Sequence, residues 1–106
     1  MNDISLDAVP AARFLELVRT PFLAKADAEP ATSLELISVS RPRAVEPAGH
    51  ESFSLLFEGP AAHPLSQGTY RFSHEKMGRF DLFIVPVSTE RGARQYEAVF
   101  NRRPVQ

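Results

Sequence analysis

Two segments limit the fold of this chain more than any others: Gly78-Arg-Phe-Asp-Leu-Phe-Ile-Val-Pro-Val87 and Tyr96-Glu-Ala-Val-Phe-Asn101. Phe80, Leu82 and Ile84 recur at every second position, as do Tyr96, Ala98 and Phe100, and a period of two marks a strand with one buried face. The first segment is also apolar on its opposite face, at Phe83, Val85 and Val87. Leu56 and Val99 fall on that second face in neighbouring runs. A sheet with one wet face alternates cleanly, so both faces of this one are expected to be covered. The expected cover is the chain's own amphipathic helix; the alternative is a partner protein or a second copy of the chain.

The remaining elements follow from the same patterns. Asp7 is a plausible N-cap and Pro10 fits the first turn of a helix. Ala11, Phe14, Leu15 and Val18 then form an i, i+3, i+4, i+7 stripe, predicting a helix over about 8–19 that Thr20-Pro21 stops. Strands are predicted over about 21–25, 33–40, 51–58, 68–74, 79–87 and 94–101. The alternation changes phase between Leu36 and Ile37, which predicts a bulge or burial on both faces. Pro86 cannot donate to a ladder, so it should sit at a bulge or where its strand leaves the sheet. Segments 25–32 and 40–49 read as loops. The fold class expected is mainly β: one domain, a small antiparallel β-sandwich or partly open barrel of five to six strands. The C-terminal strands form an up-and-down meander, and one N-terminal helix packs on the sheet.

Composition narrows function mostly by exclusion. The 106 residues carry 12 basic and 13 acidic side chains, a formal net charge of −1. Phosphate neutralisation dominates nucleic-acid affinity, and no basic excess exists to supply it. No polybasic membrane surface is expected either, and no apolar run approaches the ~20 residues of a membrane helix. The chain has no cysteine, hence no disulfide, thiolate metal site or cysteine nucleophile, which suits a reducing cytoplasm. The N-terminus lacks the basic and apolar regions of a signal peptide. Arginine supplies most of the basic residues, and alanine and proline are plentiful, as in GC-rich bacterial coding sequence.

Glu58-Gly-Pro, Gln67-Gly-Thr-Tyr-Arg-Phe-Ser-His74, Gly78 to Val87 and Tyr96 to Asn101 resemble a family of small uncharacterised bacterial proteins of about a hundred residues. The resemblance covers 52–101 well and the N-terminal part more loosely. The matching motifs are strand and turn residues, so the resemblance implies a fold and gives no residue a catalytic role.

Candidate sites are few. His50, His63 and His74 have Glu51, Glu58 and Glu75 nearby in sequence, but no His-x-His, His-Glu-x-x-His or cysteine accompanies them. Exposed loop histidines are therefore expected, and no metal or cofactor. No Gly-x-Ser-x-Gly elbow and no phosphate-binding glycine pattern occurs, so no enzyme is expected. Gly59, Gly68 and Gly78 read as turn glycines with positive φ. Arg91, Arg94, Arg102 and Arg103 read as two small solvated clusters at opposite ends of the last strand. Two functions from different classes remain. A protein-interaction or assembly module would dock through a sheet edge, through the face of Phe83, Val85, Val99 and Leu56, or through the two long loops. A small-ligand carrier would use a barrel interior, with the Tyr70 and Tyr96 hydroxyls as polar handles.

Overall fold

Alternating apolar residues give each strand one side that must leave water, and closing the sheet on itself buries all of those sides at once. The computed structural model describes residues 2–40, 43–45, 50–90 and 92–102. Its strands are β1 (Pro21–Lys25), β2 (Thr32–Val39), β3 (Arg43–Val45), β4 (His50–Pro60), β5 (Gly68–His74), β6 (Gly78–Glu90) and β7 (Ala93–Arg102). Every pairing between strands is antiparallel. The sheet order is β2-β1-β5-β6-β7-β4-β3, and a further β2–β4 pairing closes six strands into a barrel. β3, which lies in a segment read as loop, adds to β4 beside His50, Glu51 and Ser52.

The expected meander is only partly present. β5, β6 and β7 follow one another as neighbours, but β4 does not pair with β5. It runs instead along the whole of β7, from Glu51↔Arg102 to Pro60↔Ala93. The connection over 61–67 therefore crosses an end of the barrel instead of turning back in a hairpin. Both predicted irregularities are register shifts: one between Leu36 and Ser38, the other between Pro86 and Ser88.

The interior is filled. Phe22, Leu34, Leu36, Leu55, Phe57, Phe72, Phe80, Ile84 and Tyr96 are all fully buried. Their rings form a connected stack: Phe22 meets Phe57 edge-on at 5.4 Å, Phe57 lies 5.2 Å from Phe72, and Phe72 is stacked on Phe80 at 5.8 Å. Gly59, expected at a turn, sits in β4 facing inward, where a Cβ would press on Leu34 Cδ2. Gly68 is likewise a strand residue. Gly78 does have a positive φ, 116°, and the Asn2 carbonyl lies against it.

The helix differs most from expectation. It is a single short α1 (Ala11–Leu15), preceded by a 3-10 turn at Leu6–Ala8. Asp7 lies in that 3-10 turn, and Pro10, with ψ 156°, is the N-cap. The chain then turns until Arg19 reaches φ 72°. The shortened helix changes which residues point inward, burying Leu17 and leaving Leu15 exposed. Instead of lying across the sheet, the segment plugs one mouth of the barrel. Phe14 packs 6.4 Å from Phe53 and 5.8 Å from Phe100. No helix among the described residues is long and apolar enough to cross a membrane.

Candidate functional site

With the helix at the barrel mouth, the second apolar face of the sheet stays on the outside. Glu97 of β7 stands opposite Val85 of β6 on one side and Leu56 of β4 on the other. Moving two positions in the same direction along the antiparallel strands reaches Val99 on β7 and Phe83 on β6. Phe83, Val85, Val99 and Leu56 therefore flank the Glu97 side chain on three sides, with Gln95 and Glu58 on the fourth. Phe83 is 49% and Val99 67% exposed, while Leu56, Val85 and Glu97 are half-buried. Val87, beside the bulge, is exposed as well.

The cations nearest this face along β5 and β6 are already engaged. Arg71 pairs with Asp3 at 2.6 Å and Asp81 at 3.3 Å, and Arg79 with Asp3 at 3.0 Å. The Arg71 hydrogen bond holds the Asp3 carboxyl below its ordinary range. No ion pair reaches Glu97 among the described residues. Glu58, the next outward residue on β4, accepts a long hydrogen bond from Gln95 Nε2, at 3.4 Å. The four apolar residues were legible in the sequence; Glu97 was missed as their centre, since only the register of three strands reveals it.

Tyr70 and Tyr96 lie at the mouth opposite the helix, and the chain itself engages both hydroxyls. Leu65 N–H donates to the Tyr96 hydroxyl at 2.9 Å, and the Tyr70 hydroxyl donates to the Ser66 carbonyl at 2.8 Å. The two phenols thus hold down the 61–67 crossing. Outside them an open cleft of about 700 Å³ separates this crossing from the 26–33 segment; Glu29, Thr32, His63 and Tyr70 are among its lining residues.

His63 and His74 lie at opposite mouths of the barrel. His63 is exposed, and His50 is described by its backbone alone. Among the described residues no three His, Asp or Glu side chains could hold a metal together. His74, at the predicted end of a strand and expected to be exposed, is only 4% exposed. It is the inward residue following Tyr70 and Phe72 and packs 4.4 Å from the Phe22 ring. Lys76 N–H donates to its Nδ1 at 3.0 Å, so the ring proton belongs on Nε2, 2.8 Å from Thr20 Oγ1. Thr20 in turn donates to the Leu17 carbonyl. This chain of bonds ties the plug to the β5–β6 turn, and Arg13 reinforces it by donating to the Lys76 carbonyl at 2.8 Å.

Burial is the main cause that lowers the His74 pKa; Arg13 and Lys76 add to it, and Glu75 opposes. The folded pKa then lies below that of the unfolded chain, about 6.5, so between the two values the unfolded state binds more protons. Stability attributable to His74 is complete above about pH 6.5 and falls on acidification until the folded pKa is passed. The melting temperature of the wild type should therefore drop between pH 7.5 and 5.5 by more than that of His74→Gln. Equal drops would show that this imidazole does not couple the plug to pH.

The arginines also divide differently from expectation. Arg102 is not solvated: its guanidinium donates to the Leu6 and Val9 carbonyls and lies 3.5 Å from Glu51. Arg94 is half-buried, and Arg91 and Arg103 lie outside the described residues.

No curated protein and no solved structure matches the chain. A family model matches residues 9–100, from the plug to the last strand and including every residue of the outer apolar face. The chain belongs to the family described as a domain of unknown function, DUF6916.

Proposed function

We propose that this chain is a non-enzymatic protein-interaction module of the bacterial cytoplasm, docking another protein on the face of Phe83, Val85, Val99 and Leu56. The observation that carries the reading is that these side chains stand outside a barrel whose interior is already full. Contiguous exposed apolar surface of this kind marks interaction sites. The side chains most suited to chemistry have other work: His74 is bonded to Lys76 and Thr20, and both tyrosine hydroxyls hold the 61–67 crossing. The lack of cysteine suits a reducing compartment. A small-ligand carrier has the open cleft beside Tyr70 in its favour and the occupied interior against it.

Phe83→Glu tests the reading cleanly because the ring is half-exposed and outside the core. The variant should keep its fold, with a stability change within about 1 kcal/mol. A tagged wild-type chain should recover one specific protein from source-organism lysate, read by mass spectrometry, and Phe83→Glu should lose it. Retention of the same protein by the variant would rule this face out as the docking surface. Stoichiometric recovery of a small molecule in native mass spectrometry would favour the carrier instead.

A further inference from the structure

We infer that the partner of this face is a different protein presenting an arginine or lysine flanked by apolar side chains, with the cation docking on Glu97. The inference rests on the interaction reading above and adds the partner's chemistry. Glu97 is half-buried between Val85 and Leu56, and no ion pair reaches it among the described residues. Any partner that covers Phe83 and Val99 also removes water from this carboxylate. A purely apolar partner would leave a buried, unpaired charge, which is strongly unfavourable. A cation in the middle of the partner's contact patch compensates for it, and burial of the flanking side chains strengthens the pair by excluding water.

Arginine fits best. Its planar guanidinium offers bidentate hydrogen bonds to the carboxylate, and its flat face can lie against the Phe83 ring. A second copy of this chain fits badly. A two-fold contact centred on this patch brings Glu97 close to its own equivalent, while Arg71 and Arg79, the nearest cations on β5 and β6, are already paired with Asp3 and Asp81.

The test is selection of a random dodecapeptide phage library against four immobilised baits: wild type, Glu97→Arg, Glu97→Gln and Phe83→Glu, each first checked for an unchanged melting profile. Wild type should enrich peptides with Arg or Lys between apolar residues, and Glu97→Arg should enrich Asp or Glu at the same place. In anisotropy titrations with the synthetic peptides, each mismatched charge pair should bind about tenfold or more weakly than the matched pair. Glu97→Gln should weaken binding of the basic peptide, and Phe83→Glu should abolish it. Peptides lost with Phe83→Glu but indifferent to residue 97 would overturn the charge assignment and leave the docking face standing. Peptides indifferent to Phe83→Glu, or no enrichment over an unrelated bait, would overturn both. A concentration-dependent dimer of wild type that Phe83→Glu abolishes would overturn the inference in favour of a second copy.

Discussion

Phe22→Ala is expected to remove about 3–5 kcal/mol of stability. For a chain of this size, with roughly 5–15 kcal/mol in total, that is a large share. Phe22 is fully buried on β1, a five-residue strand that holds β2 on one side and β5 on the other. Its ring touches Phe57 from β4, Phe80 from β6 and His74 from β5. Truncation therefore opens a cavity where four strands meet and removes much of the apolar contact of the strand that closes the barrel. With a denaturant slope of about 2 kcal/mol per molar urea, the unfolding midpoint should fall by roughly 2 M. Phe22→Leu, which keeps most of the volume, should cost far less. Phe83→Ala, on the outside of the same barrel, should move the midpoint little. Similar shifts for Phe22→Ala and Phe83→Ala would contradict the assignment of one ring to the interior and the other to the exterior.

The inward residues of that interior were largely legible, because period two fixes which side of a strand is apolar: Phe53, Leu55 and Phe57 on β4, Phe80, Leu82 and Ile84 on β6, Tyr96, Ala98 and Phe100 on β7. Period two does not say which strands are neighbours. The pairs β1–β5 and β4–β7 join segments distant in sequence, and nothing local distinguishes a hairpin from the 61–67 crossing that the two tyrosines hold. Phase carried more than was taken from it. His74 continues the inward series of Tyr70 and Phe72, and Arg102 continues that of Tyr96, Ala98 and Phe100, so both are inward positions despite their polarity. The outer apolar face could be read from Phe83, Val85, Val99 and Leu56. Its cover could not, because a helix of five residues is too short to span a sheet, and its docking point depends on end-on packing at the barrel mouth.

Arg102→Ala is expected to cost about 2–4 kcal/mol and to loosen the plug before the barrel. The β4–β7 register sets Arg102 directly opposite Glu51, both inward in phase at the plugged mouth. Their side chains are 12% and 17% exposed. The guanidinium lies 5.0 Å from the Phe53 ring centre and 5.1 Å from that of Phe100, two rings stacked at 4.6 Å. From there it donates to the carbonyls of Leu6 and Val9. One planar cation thus satisfies two carbonyls and a carboxylate while packing on the rings that Phe14 also meets. Removing it leaves those three acceptors with little water to replace it. Lysine restores the charge but not the flat fork, so Arg102→Lys should recover less than half of the loss. Trypsin supplies a local readout at Arg13 and Arg19, both in or beside the plug. Cleavage there should accelerate in Arg102→Ala at temperatures where β-sheet circular dichroism is unchanged, because the plug opens while the barrel stays closed. If cleavage and loss of sheet signal instead rise together, plug and barrel unfold as one unit, and Arg102 stabilises the whole chain equally.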